Sequence, residues 1–155
     1  MDVILADTVK VLGGFDAAAN VYSRDELKII RNGSRYTQRM GDKIIHNFML
    51  LAIFLFKQHQ KVAEIPAGPE VRNTFIFRYA LCAYVLGLEW ISVGGAAKKK
   101  PEKIRNDVVD VIFATFATYF DGLLTADKKL QKIYATTEFL LSEVLVMPGC
   151  YGQYE

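Results

Sequence analysis

The stretch IIHNFMLLAIFLF at residues 44–56 places apolar side chains on nearly every face of any helix it forms. Such a segment must be covered by other parts of the chain, because apolar surface left against water forfeits its main stabilising term. It is shorter than the roughly 20 residues that cross a bilayer, and His46 and Asn47 interrupt it, so it reads as a central core helix buried on most faces. The rest of the chain can supply the cover. With 155 residues, 52% of them hydrophobic, it predicts one domain over residues 1–155 around a single core.

Composition excludes several classes of function. A net charge of +2, from 19 basic and 17 acidic side chains, gives no field strong enough to name a partner, so any binding signal must be local. Cys82 and Cys150 form no CxxC pair and have no histidine at ligand spacing, which argues against a zinc site and a disulfide framework and for thiols in a reducing cytosol. The start MDVILADTVKV lacks the basic and apolar pattern of a signal peptide, so a cytoplasmic protein without membrane association is expected. Gly13-Gly14 lacks the G-K-[ST] that would make a phosphate-cradling loop. His46 and His59 have no carboxylate partner at ligand spacing and read as structural.

Along the chain, the apolar residues at 3–5 and 9–12, around Asp7, predict a first strand that ends at Gly13-Gly14. Ser23 and Glu26 form the S-x-x-E pattern of a capping box, so a helix starts there and runs toward Gly41, with Gly33 and Ser34 breaking it. Helices follow over 42–56 and 75–91, then over 107–120 and 128–143, separated by the loops EIPAGPE and GGAAKKKPEK. GLLT at 122–125 and VLVM at 144–147 read as short buried strands. This alternation predicts an α/β sandwich around a mostly parallel sheet, whose ligands bind beyond the carboxyl ends of its strands. Asp127 falls just past the end of GLLT, and Asp121 just before its start.

Asp107 and Asp110 lie three residues apart and share one face of their helix, near its predicted N-terminus, where the helix dipole favours negative charge. Ala114 and Ala117 continue below Asp110 and allow a close approach to the sheet. With Asp7 on the first strand, acids from distant parts of the sequence meet at one sheet edge. Clustered carboxylates repel one another unless a cation neutralises them, and hard oxygen ligands select Mg²⁺ or Mn²⁺.

The stretch RNDVVDVIFATFATYFDGLLTADKKL at 105–130 resembles the C-terminal half of PIN-domain ribonucleases. It is closer still to a group of uncharacterised PIN-like proteins that carry R-N-D-x-x-D followed by Y-F-D-G-L-L-T-x-D. The resemblance implies a PIN-like α/β/α sandwich and a Mg²⁺- or Mn²⁺-dependent endoribonuclease that hydrolyses RNA phosphodiester bonds. It also implies a toxin of a toxin–antitoxin pair, with an antitoxin as partner, and a homodimer. Asp110 stands at the family's acid before a small-residue helix, Asp127 at the acid of its T-x-D, and Thr125 at the threonine that steadies that loop. In the first motif ADTV keeps Asp7 and Thr8 but has Val9 where the family has asparagine, and Asp16 competes with Asp7. Glu26 matches the family's second-helix acid, a position its capping role explains equally well.

The expected catalytic and metal-binding set is therefore Asp7, Asp110 and Asp127, with Asp107, Asp121, Thr125 and Glu26 in support. Arg24, Lys28, Arg31 and Arg35, continued by Arg39, form a basic stripe that would bind the RNA backbone if the helix is continuous; a solvated face is the alternative. Two noncatalytic readings compete. One is a PIN-like domain for oligomerisation or protein binding. The other is a purely helical interaction domain in which GLLT is a turn and the acids are helix caps.

Overall fold

At Ser23 the chain is extended, and its hydroxyl accepts from the Glu26 backbone N–H at 3.2 Å while the Glu26 carboxylate accepts from the Ser23 N–H at 2.7 Å. This reciprocal cap satisfies N–H groups that a helix start leaves without partners. It opens α1, Arg24–Asn32, which stops at Gly33, whose φ of 63° lies in the left-handed region that favours glycine. Thr37 then caps α2, Gln38–Gln58, and Thr74 caps α3, Phe75–Ser92. Pro101 occupies the first turn of α4, Pro101–Ala117, where a missing N–H costs nothing. Asp127 caps α5, Lys128–Phe139, which runs into a π-helical turn, Leu140–Val144. The computed structural model describes residues 20–59, 64–94 and 100–144.

The hub is α3, which packs against α1, α2, α4 and α5. Residues 79–87 are buried without interruption, a pattern that only a helix surrounded on all sides can have. Helix α3 is long and apolar enough to cross a membrane, and 67% of it is buried inside the protein, as befits a core helix. The central role expected of residues 44–56 therefore belongs to α3. Helix α2 buries one stripe, Met40, Ile44, Phe48, Ala52 and Phe56 at four-residue spacing with Met49 beside it, and leaves Leu50 and Phe54 about half exposed. Phe48 meets Phe77 edge to face at 5.0 Å, and the Tyr22 and Tyr84 hydroxyls share a buried hydrogen bond of 2.6 Å that ties the approach to α1 to the hub. Arg78 fastens α3 to the end of α4: it donates to the Thr118 carbonyl, reaches the Thr118 hydroxyl at 3.2 Å, and lies 4.1 Å from the Tyr119 ring centroid.

The α/β/α sandwich is not the fold of the described residues, which form helices and contain no strand. GLLT at 122–125 is an irregular connection between α4 and α5 in which Leu124 is fully exposed. A buried strand would cover both leucines and pair its backbone groups with neighbouring strands. The predicted first strand, at 3–12, lies outside the described residues, and so does VLVM except for Val144, which belongs to the π-helical turn. The helices were better anticipated: the break at Gly33, the span of α3 and the start of α5 all match, whereas α4 begins six residues before Asp107.

Candidate functional site

Because α4 starts at Pro101, Asp107 and Asp110 lie beyond its first turn, so the helix dipole, the alternative to a metal role, does not account for them. They do share a face. Asp107 is buried, and its Oδ2 accepts from the Trp90 indole N–H at 2.7 Å. Its Oδ1 takes the Lys129 ammonium, which also contacts Asp110 Oδ2 at 2.6 Å. Lys129 comes from the first turn of α5, so this one cation joins α5 to α4 and, through Trp90, to α3. Burial pulls the Lys129 pKa down, but hydrogen bonds to Asp107 and Asp110 and the charge of both outweigh it, and the net shift is upward.

Asp127 sits at the same place for a different reason. Its Oδ1 accepts from the backbone N–H groups of Lys129 at 2.8 Å and Leu130 at 3.0 Å, as an N-cap does. Its own N–H donates to the Thr125 hydroxyl at 3.1 Å, which ties the loop to the start of α5. Asp107, Asp110 and Asp127 line one open cleft of about 560 Å³ together with Lys103, Asn106, Val109 and Lys129.

The remaining expected site residues lie elsewhere. Asp121 is exposed and is not part of the cleft lining. Glu26 serves the α1 cap and pairs with Lys43 at 2.7 Å, contacts that hold its carboxyl below the usual range. Asp7 and Asp16 lie outside the described residues. The basic stripe is not continuous, because Gly33 ends α1: Arg24, Lys28 and Arg31 belong to α1, Arg35 to the linker and Arg39 to α2. All five are exposed, and Lys28 pairs with Asp25 at 3.2 Å.

The geometry does not fit a metal as it stands. Among the described residues no group of three His, Cys, Asp or Glu side chains is placed to hold an ion, and the α4 carboxylates share an ammonium instead. Ala114 and Ala117 are buried as expected, within a helical core in place of a sheet contact.

A second cavity, also of about 560 Å³, opens among α1, α2, α3 and α5. Ile44, Phe48, Leu81, Val85, Leu88 and Leu140 are among its apolar walls. No periodicity rule finds such a groove from sequence, because its walls come from four helices whose packing angles set its width. No family model, curated protein or solved structure matches the chain.

Proposed function

We propose that the chain is a noncatalytic helical binding domain and that the groove among α1, α2, α3 and α5 is its binding site. The observation that carries this reading is the use made of the acids. Lys129 bridges Asp107 and Asp110, and Asp127 is engaged in capping α5. A divalent ion would have to displace an ammonium held by two carboxylates, one of them also bonded to Trp90. The groove has the same volume as the acidic cleft, within the roughly 300–1,000 Å³ of small-molecule sites, but in contrast to it has mostly apolar walls with a few polar groups.

A second reading is Mg²⁺- or Mn²⁺-dependent hydrolysis of RNA, with the antitoxin partner and homodimer that the PIN-like resemblance implies. One observation favours it: Asp107, Asp110 and Asp127 line a single open cleft beside Lys103 and Lys129. It requires Lys129 to give up its carboxylates and a further acid, Asp7 or Asp16, to join them. Labelled mixed-sequence RNA incubated with the protein in Mn²⁺, in Mg²⁺ and in EDTA separates the two. The noncatalytic reading expects intact RNA and no rise in Tm with either metal. Metal-dependent cutting that Asp127→Asn abolishes would replace it with the hydrolase.

A further inference from the structure

The charged side chains that α3 and α5 give the groove meet at one end, while Tyr84 and Thr136 add hydroxyls farther along its walls. Glu89 and Ser92 stand in the last turn of α3 and Lys132 near the start of α5, and the Lys132 ammonium meets Glu89 Oε1 at 2.6 Å. Tyr36 belongs to the same end, since its phenol feels the charges of Glu89 and Lys132. Arg31, in the last turn of α1, also lines the groove; Tyr22 before it meets Tyr84 and Tyr36 after it lies by Glu89, so α1 runs toward the charged end, and Arg31 makes no ion pair with any described residue. The opposite end is apolar. Leu81 lies eight residues before Glu89 on α3, and Leu140 eight residues after Lys132, so the apolar end is about 12 Å away at the helical rise per residue. Phe48 is at that far end too, because it packs on Phe77, near the start of α3.

A groove with one charged and one apolar end selects a ligand built the same way. Lys132 and Glu89 cancel, so Arg31 leaves the polar end with one surplus positive charge. We propose that the groove takes a single-chain amphiphile with an anionic head, of the medium-chain fatty-acid class, its carboxylate at Arg31 and its tail running toward Leu81, Phe48 and Leu140. A guanidinium presents a fork of donors that matches a carboxylate, and the apolar walls release water on receiving the tail. This rests on the groove being the binding site of the domain.

The test is calorimetric titration of the whole chain with dodecanoate, below its micellar concentration, and with dodecan-1-ol. Arg31→Gln removes the charge from an exposed position. Thr136→Trp and Gly41→Trp fill the groove from α5 and α2, and a Cβ at Gly41 meets nothing within 4 Å. Thermal melts identify which variants are folded. Saturable binding of dodecanoate is expected, weakened about tenfold by Arg31→Gln, as for loss of a charged hydrogen bond. Dodecan-1-ol should bind Arg31→Gln and the wild type equally, and a folded groove-filling variant should bind neither ligand. Dodecanoate binding that ignores Arg31→Gln, while a groove-filling variant still abolishes it, would overturn the anionic head and leave the groove standing. Binding that survives groove filling would overturn the groove as the site, and no binding of either ligand to the wild type would overturn the amphiphile as its occupant.

Discussion

Lys129 stands where a divalent cation was expected, and its removal exposes what it balances. Lys129→Met leaves Asp107 and Asp110 as like charges on one face of α4, with Asp107 buried. Breaking a fully buried ion pair costs about 3–5 kcal/mol; because Lys129 is partly solvated, a loss of about 2 kcal/mol is expected, read as a lower urea midpoint. Adding Asp110→Asn to Lys129→Met should recover part of that loss by removing the repulsion. An unchanged midpoint in Lys129→Met would mean that the ammonium contributes no net stability. Asp127 offers a different contrast. Asn caps as well as Asp, so Asp127→Asn should melt with the wild type, while Asp127→Ala should lose about 1 kcal/mol through the unpaired N–H groups of Lys129 and Leu130. Equal and large losses in both variants would show that the charge of Asp127, and not its capping geometry, is what the fold uses.

At the scale of elements, the stop at Gly33 is local backbone chemistry. A Cβ there would meet no atom within 4 Å, so Gly33→Ala is penalised only for its φ of 63°, and a destabilisation of about 1 kcal/mol is expected in urea unfolding. Signals of this local kind were legible: the Ser23–Glu26 box, the break at Gly33 and the apolar span of α3 are each written within a few residues of where they act. GLLT was not, because a run of four cannot declare whether its backbone will find partner strands, and Leu124 ends fully exposed. Nor did composition alone rank α2 below α3 as the hub, since both read as apolar and their burial depends on which is surrounded. The cleft was half legible. Helical spacing put Asp107 and Asp110 on one face and the T-x-D placed Asp127 beside them, but Lys129 and Trp90 reach Asp107 only through the crossing of three helices.

For the molecule as a whole, the arrangement of helices around α3 makes alkaline pH the direction of failure. Cys82 is fully buried on α3, and burial pushes its thiol up from 9.0 to about 11, against the pull of hydrogen bonds to Thr137 and Thr115. The unfolded thiol therefore loses its proton first as pH rises, and the unfolded state is favoured from pH 9 until the folded thiol ionises near 11. Two units correspond to a loss of about 3 kcal/mol. Tyr22 and Tyr84, raised from 10.0 chiefly by burial, act in the same direction but begin a unit later. The Lys129 contribution, present in full below its ordinary 10.5, is lost as pH climbs through its raised value. Because α3 touches α1, α2, α4 and α5, these local losses should appear in one cooperative transition. Urea midpoints measured from pH 8 to 11 in a Cys150→Ser background should fall from pH 9, and adding Cys82→Ala should delay the fall to about pH 10. A fall that starts at pH 9 with or without Cys82 would remove the thiol as its cause.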